Sequence, residues 1–280
     1  MVTVNIGSEC FVDMQQRAQQ FLKGCCPSVL FHIFGIGSGV TWSGDYKSWD
    51  LAQKASTGYD SNVILNKVKD SLLKVKNGQA TYERDSLLFK EIEYSWPLLA
   101  AIMWVAAQSN GELNIVDYGG SLGSTYFQNR EFLRHLPKVQ WNIVEQKNFV
   151  DVGQESFEND VVRFFYDVES VLEESSPDAI LFSSVIQYIE RPYELLEKIK
   201  ELGFRFILFD RTPFTFNGTD RLTVQKVSPK IYPADYPCWF FDRRRFYSFF
   251  DDKYIAIAGF KSLDRANVPS TFEGCIFRKK

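Results

Sequence analysis

The stretch that most constrains this chain is Leu113 to Gly123, LNIVDYGGSLG. It opens as a short apolar run with β-branched residues, the pattern of a strand buried on both faces of a parallel sheet. The run ends in Asp117 and Tyr118, and Gly119, Gly120, Ser121, Leu122 and Gly123 follow. The next segment, Ser124 to Leu136, reads as a helix with Phe127, Phe132, Leu133 and Leu136 apolar. A strand, a glycine-rich turn and a helix start together make a ligand cradle at the carboxyl edge of a sheet. Glycines there let backbone approach a ligand without interference from a Cβ.

The spacing discriminates between ligands. A dinucleotide fingerprint GxGxxG counted from Gly119 needs glycine at 121 and 124, and both are serine. The pattern DxGxGxG, used by methyltransferases, needs Asp117, Gly119, glycine at 121 and Gly123; only Ser121 departs. Glu145 closes the next apolar run, VQWNIVE, and suits a ribose, because its carboxylate can accept from both hydroxyls. The plainer alternative is a tight strand-to-helix turn with no ligand.

Composition narrows the class. In 280 residues, 45% are hydrophobic and 24% charged, enough for a large core in one α/β domain with an appendage or in two small domains. A net charge of −3 argues against a broad nucleic-acid surface. Aromatic residues in loops point to a pocket wall. The five cysteines are scattered without a CxxC pair, and two histidines accompany them, which argues against a zinc site and against a disulfide framework. A reducing, cytoplasmic compartment is the simplest reading. No basic segment followed by a long apolar core marks a secretory signal. Val29 to Phe34 and Trp96 to Ala107 fall short of the roughly 20 residues a membrane span needs, and the second reads as a buried helix.

Along the chain, residues 1–60 read as an N-terminal arm. Met14 to Leu22 suits a short helix and Gly35 to Gly39 a flexible joint; Trp42 to Trp49, WSGDYKSW, suits a lid over a ligand or a packed strap. Residues 61–280 read as the main domain. Ser61 suits a cap for a helix carrying Val63, Ile64, Val68, Leu72 and Leu73, and Asn77-Gly78 a loop. Tyr82, Glu83, Arg84 and Asp85 precede a helical pattern reaching Ala107, in which Pro97 implies a kink or two abutting helices. Glu83, Arg84 and Asp85 are a solvated helix start or a polar wall of the site. Strand then alternates with helix through five strands: 113–118, 139–144, 161–166, 178–182 and 204–209, the last ending at Asp210. A proline-rich insertion follows at 211–241, with a strand at Leu222 to Val227, then a helix at Asp242 to Phe250 and two final strands, Tyr254 to Phe260 and Gly274 to Phe277, suited to antiparallel pairing. This is the Rossmann-like α/β layout of class I methyltransferases: a mostly parallel seven-stranded sheet with helices on both faces, here with an N-terminal helical extension.

YERDSLLFKEIEYSWPLL, DYGGSLGSTYFQNR, WNIVEQ, SSVIQYIE, DRTPF, DRLTVQ and YPCWFF resemble one family. It comprises methyltransferases often found in bacterial surface-polysaccharide and lipopolysaccharide gene clusters, and the resemblance spans roughly residues 42–280. It implies binding of S-adenosylmethionine. By position, Asp117 would face the methionine amino group, Gly119, Gly120 and Gly123 would line methionine and ribose, and Glu145 would hold the ribose hydroxyls. Tyr166 or Asp167 would neighbour the adenine, and Ser183 and Ser184 the sulfonium. Ser121 stands where many methyltransferases have glycine, and its side chain either hinders the approach of backbone or adds a hydrogen bond. For a hydroxyl acceptor a base is needed. His32 and His135 are poorly placed, which leaves Asp210, Glu190 or Glu83, with Asp210 first because it ends the fifth strand; a capping carboxylate or an ion pair with Arg211 is its structural alternative. Arg211 and Arg221 suit an anionic substrate, and Gln187 and Tyr188 the positioning of the acceptor. Arg243 to Arg245 read as a solvated face. The expected function is methyl transfer to a small molecule or glycan intermediate, O-methylation favoured, with no metal and no nucleic-acid partner. The alternatives are a Rossmann enzyme dependent on NAD or a nucleotide-sugar, and a non-catalytic protein of methyltransferase fold in a glycan-assembly complex.

Overall fold

Six strands that run one way and one that runs against them make the core of an 11-stranded sheet in the computed structural model, which describes residues 39–59, 61–84, 86–229 and 233–280. The readings for Met14 to Leu22, for positions 35–38 of the joint, for the Ser61 side chain and for Asp85 lie outside the described residues. In the first part of the chain come β1 (Val40–Ser43), α1 (Trp49–Lys54), β2 (Gly58–Tyr59), α2 (Ser61–Lys76), the hairpin β3 (Tyr82–Arg84) and β4 (Leu87–Phe89), and α3 (Trp96–Gln108). The alternating part runs β5 (Glu112–Tyr118), α4 (Ser124–Leu133), β6 (Lys138–Val144), α5 (Lys147–Ser156), β7 (Val162–Phe165), α6 (Val168–Glu174), β8 (Ala179–Ser183), a 3₁₀ turn at Ile186–Tyr188, α7 (Pro192–Leu202) and β9 (Phe206–Thr215). The last part holds β10 (Arg221–Val227), β11 (Ala234–Asp242), α8 (Arg243–Ser248), β12 (Tyr254–Lys261) and β13 (Thr271–Lys279).

The sheet order is β7-β6-β5-β8-β9-β13-β12, parallel from β7 to β9, with β13 antiparallel to both β9 and β12. This is a Rossmann-like, mostly parallel α/β sheet, as the alternation predicts. After β5 the chain winds outward through β6 and β7, then returns to β8 on the other side. The strand ends therefore part between β5 and β8, the switch point where α/β sheets take their ligands. Both faces are covered. Ile115, Trp141, Ile143, Ala179, Leu181 and Leu208 pack under α2 to α5, while their strand neighbours Val116, Val144, Ile180, Phe182, Ile207 and Phe209 pack under α6 to α8. A period of two is thus hidden inside runs that are apolar throughout.

The helical pattern read from the residues after Asp85 to Ala107 is corrected in its first part: the helix starts at Trp96, and Tyr82–Arg84 and Leu87–Phe89 pair as strands. Tyr82 and Phe89 face each other across the β3–β4 hairpin with ring centroids 5.6 Å apart. Pro97 sits in the first turn of α3 and kinks nothing. A proline lacks only an N–H that the first turn leaves unpaired anyway, so it starts a helix without loss.

The fifth strand does not stop at Asp210; β9 continues to Thr215. Beyond it, β10 and β11 form a hairpin, β1 lies antiparallel on β10 with Val40 opposite Val227, and β11 rejoins β9 through Phe241 and Asp242. Residues 40–59 pack along this ribbon: Trp49 stacks on Trp239 at 6.4 Å, and the Tyr46 amide donates to the Leu222 carbonyl. Cys238 and Cys275 are buried and unbridged. Among the described residues, no helix is long and apolar enough to cross a membrane.

One irregularity matters for the site. Against β13 the register slips, so Phe209 pairs with Cys275 and Thr212 with Glu273; Asp210 and Arg211 together oppose Gly274. In this bulge Arg211 takes φ +53°, and bulges of this kind re-aim a side chain next to a site. Gly274 makes room for it: a Cβ there would stand 2.7 Å from the Phe209 carbonyl oxygen and closer still to the Phe260 ring. Backbone cannot retreat from such a contact as a flexible side chain can. Gly274→Ala is expected to cost about 1–3 kcal/mol of stability, seen as a lower urea midpoint with an unchanged denaturant slope; a midpoint equal to the parent's would contradict the packing described.

Candidate functional site

The bend after β5 turns through three residues of left-handed backbone, Gly119 (φ +68°), Ser121 (φ +55°) and Gly123 (φ +100°), and Gly123 sits at the N-cap of α4. Ser121 is the exception to glycine, and a non-glycine residue held there costs of order 1 kcal/mol. Its amide donates to Glu145 Oε1 at 3.3 Å. Protein atoms fill the space that each missing side chain leaves. A Cβ on Gly119 would collide with Val185, one on Gly120 would meet the Asp117 carboxyl carbon at 2.6 Å, and one on Gly123 would meet Ile143 at 3.2 Å. The glycines are needed first for the bend to close on its own neighbours, beyond any contact with a ligand.

Two carboxylates flank the bend. Glu145, just past β6, turns toward it: one oxygen accepts from Ser121 and the other from the Gln146 amide at 2.7 Å. Burial pushes its carboxyl above the usual range, and the two backbone donors pull it partly back. Asp117 is 1% exposed. Its Oδ2 accepts from the Trp141 indole N–H at 3.0 Å, and its Oδ1 is buried without a partner. Burial pushes Asp117 up to about 7; Glu145 adds to the rise, while the Trp141 hydrogen bond and Arg211 oppose it.

Across the switch point, β8 ends in Ser183 and Ser184. Ser183 Oγ donates to Asp210 Oδ2 at 3.1 Å. Ser184 is left-handed (φ +55°), and its amide donates to the Asp210 carbonyl at 2.9 Å. Gln187, 1% exposed, donates to Ser184 Oγ at 3.1 Å and to the Arg211 carbonyl at 3.5 Å, so one amide braces two left-handed residues. Asp210 is 2% exposed, with Arg211 Nε 3.7 Å from its Oδ2. Burial raises the Asp210 carboxyl, Arg211 and more weakly Ser183 and Arg84 restrain it, and Asp264 adds to the rise. Tyr188 Oη donates to Gln225 Oε1 at 2.9 Å; Gln225 also accepts from the Trp42 indole at 2.9 Å and donates to Tyr236 Oη at 3.0 Å. This network joins the 3₁₀ turn to the insertion and to β1.

Other sequence candidates are engaged locally. Asp167 caps α6, accepting from the Ser170 amide at 2.8 Å and from its hydroxyl at 2.7 Å, which holds its carboxyl below the usual range. Tyr166 is half exposed and donates to Asp151 at 2.9 Å. Arg221 spends its guanidinium on the Gly44 carbonyl, at 2.8 and 3.0 Å, and so braces the strap. Glu83 comes from a strand and is buried; it accepts from the Ser86 amide at 2.7 Å and from Ser124 Oγ at 2.6 Å, tying the hairpin to the first residue of α4. His135 is exposed at the end of α4. Sequence reading passed over Trp141 and Gln225, which look like a strand aromatic and a strand amide. Only the register, with Ile115 opposite Trp141, places the indole below Asp117.

Among the described residues, eight buried side-chain polar atoms lack a hydrogen-bond partner. Four of them, Asp117 Oδ1, Gln187 Oε1, Asp210 Oδ1 and Thr212 Oγ1, lie on residues at this edge of the sheet. Buried polar atoms are normally paired, and this edge of the sheet carries half of those that are not.

No family model matches the chain, and no curated protein matches it. Solved structures do. Magnesium protoporphyrin IX methyltransferase from Synechocystis PCC 6803, with bound SAM, superposes with a TM-score of 0.44 at 11% identity, over 66% of this chain and 79% of that one. The N-terminal domain of EvdMO1, in the presence of SAH and D-fucose, gives 0.47 at 13% identity, over 80% and 98%. The 1,6-didemethyltoxoflavin-N1-methyltransferase of Burkholderia thailandensis, with its substrate and S-adenosylhomocysteine, gives 0.39 at 12%, over 80% and 95%.

The raised Asp117 carboxyl has a consequence for stability. Its unfolded value is near 4 and its folded value near 7, so the folded chain holds the extra proton between them. Stability from this group is fully present below about pH 4, falls as pH rises, and levels off above about 7. Asp117→Asn keeps an acceptor for Trp141 and removes the titration. Without ligand, the variant is expected to gain on the parent between pH 4 and 8, by up to roughly 4 kcal/mol. Urea unfolding at both pH values measures it; an equal difference at pH 4 and pH 8 would refute the assignment.

Proposed function

We propose that this protein is an S-adenosylmethionine-dependent methyltransferase whose acceptor is a small molecule or glycan intermediate, with transfer to a hydroxyl oxygen. The observation that supports this best is the pair of acids at adjacent strand ends: Asp117 with an oxygen that nothing in the protein satisfies, and Glu145 turned onto the glycine bend. An adenosyl amino acid offers what they lack, an ammonium group and two ribose hydroxyls.

In this reading Asp117 holds the amino group, Gly119, Gly120, Ser121 and Gly123 line the methionine and ribose, and Glu145 holds the ribose. Tyr166 and Asp167 flank the adenine, and Ser183 and Ser184 lie near the sulfur. Bound S-adenosylmethionine supplies a methyl already activated on a sulfonium, so the protein's task is alignment and removal of a proton. Asp210 is the base: burial raises its carboxyl above the usual range, and one of its oxygens has no partner, which makes it a stronger proton acceptor than a solvated carboxylate. As the acceptor oxygen takes the methyl, its proton passes to Asp210 and the demethylated product leaves. Arg211, set in the bulge, and Tyr188, oriented by Gln225, position the acceptor, with residues 39–59 and the insertion at 211–229 and 233–241 forming the substrate side. The sugar-polymer setting is supported by the motif resemblance. The burial of Asp210 favours a second reading, a methyltransferase-fold protein that binds the ligand without turnover.

Calorimetry with S-adenosylhomocysteine tests the proposal; absence of both heat and thermal shift would overturn it. Glu145→Ala is expected to weaken binding about tenfold or more, the loss of hydrogen bonds to a charged group. Asp210→Asn is expected to leave affinity within about twofold and to lower methyl transfer, followed with labelled methyl across nucleotide-sugars and glycan intermediates, by about 100-fold. Binding without transfer to any acceptor would favour the second reading.

A further inference from the structure

Trp141 is wholly buried in the middle of β6, and its ring packs against Tyr126 of α4 with centroids 5.9 Å apart. A tryptophan there needs no explanation as core. The indole N–H does, because it is aimed at the site. Parallel pairing sets Trp141 opposite Ile115, and with side chains alternating, Trp141 and Asp117 share a face of the sheet one step apart. The N–H meets Asp117 Oδ2 at 3.0 Å from below, while Gly120 lies against the same carboxyl from above. Phenylalanine or leucine would fill the core equally well and leave both carboxylate oxygens orphaned, at a cost of about 1–3 kcal/mol in a buried place.

We propose that Trp141 is a positioning residue for ligand recognition: its N–H fixes one oxygen of Asp117, so that the other is held ready for a cationic amino group. This rests on the reading of the site as one for an adenosyl amino acid, and goes beyond it by assigning the recognition to an indole on the neighbouring strand. The charged groups that bear on Asp117 are Glu145 from the end of β6, which disfavours its anion, and Arg211 from the β9 bulge, which favours it. Trp141 adds the only hydrogen bond to it among the described residues. An ammonium group binds the anion, so binding to a carboxyl that is partly protonated at neutral pH releases a proton. Removal of the indole donor raises the pH at which the anion forms.

The test uses the full chain with S-adenosylhomocysteine as probe, by calorimetry from pH 6 to 9 in two buffers of different ionisation enthalpy. For the parent protein, affinity is expected to rise between about pH 6 and 8 with release of a fraction of a proton, and Asp117→Asn is expected to flatten that rise. Trp141→Phe is expected to weaken binding by roughly fivefold or more at pH 7, a deficit that shrinks toward nothing near pH 9 as the carboxyl ionises in both proteins. A merely structural role gives the same loss at every pH, and that result, or an unchanged affinity, would overturn the proposal. Should Trp141→Phe fail to fold, the parent alone decides: binding that exchanges no proton between pH 6 and 8 also overturns it. A parent protein that binds no probe at any pH refutes the function instead.

Discussion

The rest of the site depends on a carboxylate kept out of water. Asp117 stands at the top of the central strand with an indole beneath it and glycine backbone over it. Burying a lone carboxylate is costly, and proteins normally answer the cost with a partner or a proton. Here the answer is incomplete: one oxygen is satisfied and one is not. That leaves an acceptor without a partner among the described residues, and the packing demands glycine at 120, where any side chain would strike the carboxyl group. The constraint propagates along the bend. Gly119 must leave space for Val185 from the opposite side of the switch point, and Ser121 must offer its amide to Glu145.

Three adjacent strands each carry, at or near this edge, a non-glycine residue with left-handed backbone: Ser121 in the bend after β5, Ser184 just past β8, and Arg211 in the bulge of β9. Each costs of order 1 kcal/mol or more, and strain of this kind persists only where the surroundings over-determine it. Those surroundings are visible. Glu145 holds the Ser121 amide, the Asp210 carbonyl holds that of Ser184, and Gln187 braces Ser184 and Arg211 together. The crevice is thus a set of chain reversals locked by single hydrogen bonds. A second layer reaches outward, where Tyr188, Gln225, Trp42 and Tyr236 link this edge to the insertion and to β1. A change in the outer ribbon therefore has a hydrogen-bonded route to the strand end that carries Ser183.

Much of this was legible in residue order. The alternation of apolar runs with amphipathic segments predicts the sheet, its seven-strand core and the antiparallel pairing of its last two strands, because burial on two faces leaves a local, periodic mark. Asp117 and the glycines were legible because a strand-to-helix turn holds them within one short window, and Glu145 because it closes the next apolar run. The β3–β4 hairpin was not. Its residues carry no turn chemistry stronger than a single left-handed serine, Ser86, and they run into a genuine helix whose starting proline resembles an interruption. The extension of β9 past Asp210 was also hidden, since its continuation depends on pairing with β13, some 60 residues later in the chain.

By itself, the sequence determined the layered α/β architecture, the position of the bend and the two acids beside it, all consequences of periodicity and of steric demands between near neighbours. The tertiary structure alone decided which polar atoms are satisfied. Trp141 under Asp117, Ser183 on Asp210, Gln187 across two strained residues and the bulge that aims Arg211 at the edge of β9 all join segments from different strands. A hydrogen bond between distant segments leaves no trace in local pattern, because its geometry is set by strand register and by the hand of the crossovers rather than by any residue's neighbours in the chain.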